Sequence, residues 1–419
     1  MAAAPALKAD QARVRMYRVG FGDCFLVSVP GESGHRHVLV DFGVHPKGDV
    51  GTLEATLDDI ARLTERKLAV VVATHEHADH ISGFGKFSAR FGHFQVGEVW
   101  MPWAMDPADP LARSLQARQL ALAEALHARF RALPAALSAR ASAARDAVLN
   151  LRGNDKAVEA LRSGFGGSAR RVRYLESGEK LSEPAGLRGV GVEVLGPTRD
   201  KEFLKRLEPP AAERYLRAKT AGAGGAADVK PFAAKWVWPA AKARRVLGLS
   251  AALEKELTAG LDEELDWLAF TLDSIRNNTS LVLLLRVGAR TLLFPGDAQW
   301  GSWKYWLEKA DAASRLKRLS FLKVAHHGSH NATPRSALDR MGAGAFAAMV
   351  STQNEPWQSI PQGRLMSALE KQTHRRVARS DLVPVRGAPA APKGSASQAK
   401  GFSIGRGEAE PWVDFVTKV

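Results

Sequence analysis

The sequence predicts an α/β protein in which strands and helices stack in layers, with helical segments inserted into that scaffold. Three observations lead to this fold class. Short apolar runs alternate with a segment of helical spacing over residues 14–104. Further apolar runs in the second half of the chain end on polar residues. Two intervening segments have compositions that favour helices.

The first part of the chain predicts a hairpin and then a strand, a helix and a strand. The runs "VRMYRVGFGDCFLVSVP" and "HRHVLVDFG" are separated by Gly and Pro, which is typical of strands joined by turns. The segment "GTLEATLDDIARLTERK" has helical spacing, with Leu53, Leu57, Ile60 and Leu63 on one face. The run "LAVVVATHEHADH" predicts a buried strand whose polar end lies in a loop.

Two helix-favouring stretches interrupt this scaffold. The composition shifts to Ala, Leu and Arg after Asp106, and a second mostly helical stretch begins near residue 199. We expect a single domain over residues 1–419, with helical insertions at about 106–182 and 199–275. The stretch "RGAPAAPKGSASQAK", at about 386–400, predicts a mobile loop because it is rich in Pro, Gly, Ser and Ala.

The second half of the chain predicts strands with polar ends. Residues 277–299, "NNTSLVLLLRVGARTLLFPGDAQ", predict a β-hairpin whose turn lies at Val287 to Ala289. The segments "LSFLKVAHHGSHNA" and "AFAAMVST" are each an apolar run followed by polar residues. Polar side chains at several strand ends are typical of a functional site on one edge of a sheet.

Composition predicts a cytoplasmic protein. The chain has 419 residues, 45% of them hydrophobic, which suffices for a sizeable core. Cys24 is the one cysteine, which excludes an intramolecular disulfide and a Cys-based zinc site. Lys8, Asp10 and Arg13 interrupt the N-terminal apolar residues, so we expect no signal peptide, and no apolar run is long enough to predict a membrane span.

The net charge predicts an anionic partner. Lys and Arg number 59 against 44 acidic residues, a formal charge of +15. Such a surface attracts nucleic acid, phosphorylated metabolites or anionic lipid headgroups, although a basic surface can also serve solubility alone. Cationic residues flank the later polar motifs: Arg315, Lys317, Arg318, Lys323, Lys371, His374, Arg375, Arg376 and Arg379. They favour a phosphorylated substrate, or they are ordinary solvated helix faces.

The segment "THEHADH" predicts a metal site. It places His75, His77, Asp79 and His80 within six positions at the end of a predicted strand. Imidazole nitrogens and carboxylate oxygens are ligands that zinc and manganese accept. His75 and His77 are two residues apart, so in an extended chain they point to the same side.

This segment resembles the HxHxDH signature of the metallo-β-lactamase superfamily. "LLFPGDAQ" is similar to that family's strand ending in the acid that bridges two metals, at Asp297, and "LKVAHHGSHNA" resembles its late histidine motif. The resemblance covers about 14–104, 185–198 and 275–419, and it implies a four-layer αββα sandwich with helical insertions. It also implies one or two zinc ions, or manganese, held by His75, His77, Asp79, His80, Asp297 and one or both of His326 and His327.

More narrowly, the chain resembles the soluble hydrolase domains of DNA-uptake competence proteins, for which nuclease activity is proposed. "VGFGDCFLVSVP", "VLVDFG", "NNTSLVLLL", "FPGDA" and "KVAHHGS" carry this resemblance. Asp23 and Asp41 occupy matching positions, as do Asn277 and Asn278. Both acids could act in the chemistry, or they could bond loop amides beneath the site.

The chain departs from the family pattern at two places. A further histidine usually precedes the bridging Asp, but only His93 and His127 lie in that interval, and both fit a structural role better. The first metal position would then have His75, His77, Asp297 and water, or would use an Asn. Ile360 also stands where the competence branch has a histidine, so a catalytic role of that histidine cannot be transferred.

The predicted function is metal-dependent hydrolysis, with Asp79 and His80 as catalytic residues. A divalent cation lowers the pKa of a water ligand to about 7, which yields a nucleophile at physiological pH. Asp79 would bind the second metal or orient the water. We expect a phosphodiesterase or nuclease acting on DNA or RNA. The alternatives are a hydrolase of a lactone, thioester or cyclic nucleotide, and a degenerate metal-binding scaffold whose helical insertions bind a protein partner.

Overall fold

The computed structural model describes residues 6–132, 139–215, 265–385, 401–405 and 411–419. The mobile loop predicted at 386–400 lies outside the described residues, as does most of the second predicted insertion.

The first sheet joins the two ends of the described chain. Within the described residues it has eight strands in the order β14-β15-β1-β2-β3-β4-β5-β6. The strands from β14 to β3 pair antiparallel, whereas β3, β4, β5 and β6 run parallel. Their bounds are Gln11–Tyr17 (β1), Cys24–Pro30 (β2), His35–Phe42 (β3), Lys67–Val72 (β4), Gln95–Pro102 (β5), Ala169–Leu175 (β6), Phe402–Ile404 (β14) and Trp412–Lys418 (β15).

The second sheet contains the predicted hairpin. Within the described residues it has seven strands in the order β13-β12-β11-β10-β9-β8-β7. Val282–Val287 and Arg290–Phe294 pair antiparallel around Gly288, whose φ of 54° suits a tight turn, so the hairpin prediction is confirmed. The bounds are Lys180–Ser182 (β7), Val190–Gly196 (β8), Val282–Val287 (β9), Arg290–Phe294 (β10), Phe321–Lys323 (β11), Ala347–Val350 (β12) and Val377–Arg379 (β13).

Helices cover the outer face of each sheet. The α-helices of the described residues are Leu53–Thr64 (α1), Ala78–Lys86 (α2), Ser88–Phe91 (α3), Pro110–Ala132 (α4), Ala139–Asn150 (α5), Asp155–Arg162 (α6), Gly164–Gly167 (α7), Lys201–Leu204 (α8), Leu265–Asn277 (α9), Trp300–Leu307 (α10), Ala312–Lys317 (α11), Arg335–Arg340 (α12) and Gly363–Gln372 (α13). Short 3₁₀ turns lie at Trp103–Met105, Pro184–Gly186, Ala211–Glu213, Ala325–Gly328 and Ser380–Leu382.

Three large apolar clusters in the described part of the chain define four layers. One cluster fills the space between the sheets, with Val70 and Phe294 among its members. A second packs the first sheet against α1 and α2, and a third packs the second sheet against α10 and α13. Alternate residues of the strands therefore face either the other sheet or the outer helices. The predicted α/β fold class, a four-layer αββα sandwich, is confirmed.

The inserted helices have a small core of their own. Apolar side chains of α4, α5 and α9 pack together beside the main layers: Ala123, Leu126, Ala144, Val148, Leu151 and Leu272. The bounds of the first insertion differ from the prediction of 106–182, because residues 169–175 and 180–182 are strands β6 and β7. The helix-favouring composition indicated α4 and α5 correctly. Strands β6 and β7 were included in the insertion because their residues alternate too weakly between apolar and polar to predict a strand.

The topology brings the polar strand ends to one edge. Parallel strands have their carboxyl ends on the same edge, here called the site rim. The "THEHADH" segment follows β4, Asp297 follows β10, and the paired histidines follow β11. Asp41 lies near the end of β3, and Asp23 directly precedes the antiparallel β2.

Candidate metal centre

The "THEHADH" segment is a strand end that turns directly into a helix. Strand β4 is buried after its first residue, as expected for its Val and Ala run. His77 has an extended backbone and caps α2, and Asp79 and His80 lie in the first turn of that helix. Each histidine and acid of the segment that was predicted to bind metal is at most 2% exposed.

Four predicted ligands converge on one point. The donor atoms of Asp79, His80, Asp297 and His327 all lie within 4.8 Å of one another. Nε2 of His327 is 3.1 Å from Oδ2 of Asp79 and 3.3 Å from Oδ2 of Asp297. Nε2 of His80 is 3.1 Å from the same Asp297 oxygen. We call these four residues the second metal position.

The scaffold fixes which nitrogen of each imidazole faces this position. Nδ1–H of His80 donates to Oδ2 of Asp41 at 2.8 Å, and Nδ1–H of His327 donates to the carbonyl oxygen of Ser351 at 3.0 Å. Both Nε2 atoms therefore face the site, and each would bind a metal once it has lost its proton. The Asp41 carboxylate is itself held by the backbone N–H and hydroxyl of Thr74. Asp41 thus bonds a loop amide and also orients His80.

His75 and His77 form a further pair of candidate ligands, here called the first metal position. Nε2 of His75 and Nδ1 of His77 are 3.0 Å apart, and Nδ1 of His75 is 3.1 Å from the hydroxyl of Thr74. Burial lowers the pKa of His77 to about 3, because the nearby carboxylates only partly offset the loss of hydration. Both imidazoles are therefore neutral at physiological pH, as ligands must be.

The structure separates the two late histidines. His327 belongs to the second metal position, whereas His326 is turned toward polar residues. Its Nε2 accepts a hydrogen bond from Nδ2 of Asn277 at 3.4 Å, and its Nδ1 is 3.5 Å from Nε2 of Gln299. Both histidines have left-handed backbones, with φ of 48° and 52°. Such strain in non-glycine residues persists only where the surroundings hold it, and it clusters at functional sites.

Lys323 is part of the centre and not of a cationic surface, which corrects the sequence prediction. Its side chain is 2% exposed, and its Nζ lies 2.5 Å from Oδ2 of Asp23 and 3.0 Å from Oδ1 of Asp297. Lys323 thereby occupies one oxygen of Asp297 and leaves Oδ2 toward His80 and His327. A charged residue in the fully buried strand β11 was the signal for this role.

Asn150 was missed by sequence reasoning. It ends the inserted helix α5, and its Nδ2 donates to Oδ1 of Asp79 at 2.9 Å while its Oδ1 accepts from the Asp79 backbone N–H at 3.1 Å. Only Oδ2 of Asp79 is left to face His327. No local pattern indicates this contact, because the two residues are 71 positions apart and Asn150 follows an Ala-rich helix.

The centre has an excess of buried negative charge. Asp23, Asp41, Asp79 and Asp297 are each at most 2% exposed, and the ammonium of Lys323 offsets part of their charge. Burial alone would lower the pKa of His327, but the Asp297 and Asp79 carboxylates raise it to about 10. Burial, with the charges of Asp79 and Asp297, raises the pKa of Asp273 nearby. Nε2 of His80 is buried without a hydrogen-bond partner. These donors and charges fit a divalent cation.

Several other predicted residues lie outside the centre. His93 is exposed just before β5, at the edge opposite the site rim, and His127 is within α4. Asn278 is structural: its side chain donates to the carbonyls of Leu204 and Arg206 and accepts from the N–H of Gln299 and Ser302.

Most of the remaining cationic residues lie away from the site rim, contrary to the expectation that they flank the site. Lys317 and Arg318 precede β11 and share a surface cavity with the turn between β9 and β10, away from Asp297. His374, Arg375 and Arg376 precede β13, also at the opposite edge. Arg315 pairs with Glu193 and Asp311. Arg379 ends β13 at the site rim, but its charge is paired with Asp381. Sequence proximity misled here, since a strand carries the chain from one edge to the other.

Comparison with known proteins agrees with this architecture. A family model described as "Metallo-beta-lactamase superfamily" matches residues 17–136, which include the whole "THEHADH" segment. The first part of the chain is therefore similar to the metallo-β-lactamase superfamily. Together with the buried donor cluster, this supports a metal-dependent hydrolase in general terms.

Among solved structures, the chain is similar to the metallo-beta-lactamase fold protein YhfI from Bacillus subtilis. The two are 10% identical, the match covers 88% of this chain and 96% of that one, and the TM-score is 0.37. No curated protein matches the chain. Across the residues that the structure describes, every helix is too short or too polar to cross a membrane.

Proposed function

We propose that the protein is a metal-dependent phosphodiesterase, with DNA or RNA as the expected substrates. The observation that carries the proposal is the Asp297 carboxylate, whose Oδ2 lies 3.1 Å from His80 and 3.3 Å from His327, at the end of a strand beside the "THEHADH" segment. The ring of His75 lies 4.2 Å from the ring of His80, so the pair of His75 and His77 adjoins this cluster, and the arrangement suits two cations. Paired cations suit phosphodiester cleavage, because they stabilise charge on the attacking and leaving oxygens.

Each residue has a definite part in this proposal. His75 and His77 would hold one cation, and Asp79, His80 and His327 another, with Asp297 shared between them. A bound cation supplies an acidified water as the nucleophile. Asn150 orients Asp79, Asp41 orients His80 and the carbonyl of Ser351 orients His327. Lys323 holds Asp297 so that one oxygen faces the site.

Two further features favour a phosphodiester substrate. The formal charge of +15 attracts polyanions. The resemblance to the hydrolase domains of DNA-uptake competence proteins points to the same bond, since nuclease activity is proposed for those domains.

A second candidate is hydrolysis of a small molecule such as a lactone, a thioester or a cyclic nucleotide. The burial of the predicted ligands and the position of Lys317, Arg318, Arg375 and Arg376 at the opposite edge favour it. A long nucleic acid would need open access and cations beside the metal centre, whereas a small molecule needs neither.

The test is cleavage by zinc-loaded and manganese-loaded protein. The substrates are bis(p-nitrophenyl) phosphate, single- and double-stranded DNA, RNA, a cyclic nucleotide, a lactone and a thioester. We expect cleavage of phosphodiesters, with Asp297→Asn as the inactive control because it keeps the shape of the side chain and removes its charge. Rising salt weakens polymer binding steeply but not the binding of a small neutral substrate, so a salt series separates the two candidates.

Two results would reject the phosphodiesterase. Cleavage of the lactone or thioester alone would support the second candidate. Metal binding with no cleavage of any substrate would support a scaffold that binds a protein partner through its inserted helices.

A further inference from the structure

The first metal position lacks the third histidine that the superfamily resemblance implies. The inserted helix α9, Leu265–Asn277, lies beside this position. This helix places Asp273 next to His77: Oδ1 of Asp273 is 3.6 Å from Nε2 of His77, and the side chains are 15% and 2% exposed.

The helix is fixed to the "THEHADH" segment by independent contacts. Arg276 pairs with Glu76, the residue between the two histidines, at 3.0 Å. Nδ2 of Asn277 donates to Oδ2 of Asp273 at 3.1 Å and so sets the orientation of the carboxylate. Leu272 packs into the small core of the inserted helices. An ion pair, a hydrogen bond and apolar packing therefore hold Asp273 beside His77.

The state of His77 shows what the carboxylate does. A cation held by both histidines needs lone pairs on Nε2 of His75 and Nδ1 of His77, the two atoms that face each other at 3.0 Å. His77 must then carry its proton on Nε2. That atom is buried and has no hydrogen-bond partner among the described residues, and Asp273 is the carboxylate beside it. A shift of roughly half an ångström would make the contact a hydrogen bond.

We infer that Asp273 is the positioning residue of the first metal position: it accepts the Nε2 proton of His77, fixes the tautomer and makes Nδ1 a better ligand. This inference rests on the metal centre of the proposed function. The inserted helix thus contributes to metal binding, and it does so through His77. Carboxylates that orient ligating histidines typically change metal affinity by roughly tenfold to a hundredfold.

The experiment is zinc titration against a competing chelator, with the number of ions counted by elemental analysis. His77→Ala and His327→Ala identify which binding phase belongs to the first and to the second position. Asp273→Ala should weaken the phase that His77→Ala abolishes by roughly tenfold to a hundredfold and leave the other phase unchanged. Asp273→Asn should be intermediate, since it keeps an acceptor. Glu124→Gln, an exposed acid on inserted helix α4, should behave as wild type.

A second readout is the ¹⁵N spectrum of the histidines in zinc-loaded protein. We expect His77 to carry its proton on Nε2 in the wild type. In Asp273→Ala we expect a mixture of the two tautomers. Zinc binding at the second metal position, retained in the same sample, shows that the variant is folded.

Three results would overturn the inference. They are wild-type zinc affinity in Asp273→Ala, a loaded His77 that binds zinc through Nε2, and a wild-type protein without a phase that depends on His77. If the Asp273 effect is found but no phosphodiester is cleaved, the proposed function fails and this inference stands.

Discussion

The two metal positions are supported by different parts of the molecule. In the second position, Asp41 of β3 and the carbonyl of Ser351 after β12 hold the outward nitrogens of His80 and His327. In the first position, His77 faces Asp273 of an inserted helix. The two sheets therefore preorganise the second position, whereas the first position depends on the inserted helix α9. We expect the second position to bind its cation more tightly.

The largest effect on folding stability is expected at Lys323, which contacts the Asp297 carboxylate of the second position. Lys323→Met would leave Asp23 and Asp297 buried without their cation, and breaking a buried pair costs roughly 3–5 kcal/mol. Urea unfolding measures the loss. Zinc should stabilise this variant more than the wild type, because it replaces the missing charge. An unchanged unfolding free energy without zinc would show that Lys323 does not balance these acids.

Asp41 distinguishes the two positions. Asp41→Asn weakens the contact that fixes His80, so zinc binding at the second position should fall roughly tenfold to a hundredfold while the first position is retained. Chelator competition measures both. Equal weakening of the two positions would contradict their separate support.

Asn150 tests the contact by which inserted helix α5 supports the second position. Asn150→Ala removes two hydrogen bonds to Asp79, each worth roughly 0.5–1.5 kcal/mol. Zinc affinity at the second position should therefore fall by roughly tenfold, less than in Asp41→Asn. If Asn150→Ala had the larger effect, the inserted helices and not the sheets would organise both positions.

The smallest effect is expected at the opposite edge. The double variant Lys317→Ala with Arg318→Ala removes two cations that lie away from Asp297. We expect unchanged zinc binding and unchanged KM for bis(p-nitrophenyl) phosphate. A marked rise in that KM would show that these residues reach the metal centre.

Much of the fold was predictable because local patterns express it directly. The hairpin 277–299 combines two apolar runs with a Gly turn, and helix α1 has regular apolar spacing. Ligand candidates were predictable for a similar reason, since His75, His77, Asp79 and His80 are adjacent in sequence and follow a buried strand.

The residues that hold these ligand candidates in place were not predictable. Asn150 and Asp273 lie in helix-favouring insertions, and only tertiary packing brings them to the site rim. Lys323 could have been noticed as a charge at the end of a short apolar run. Lys317 and Arg318 were misplaced because β11 separates them from His327 by the height of the sheet.

The most direct measurement is the zinc content of wild-type protein and of the double variant Asp79→Ala with His80→Ala, together with phosphodiester cleavage by each. The metal centre described above requires the wild type to bind zinc and the double variant to lose the second-position ion and all activity. A double variant that keeps both its metal and its activity would contradict the site.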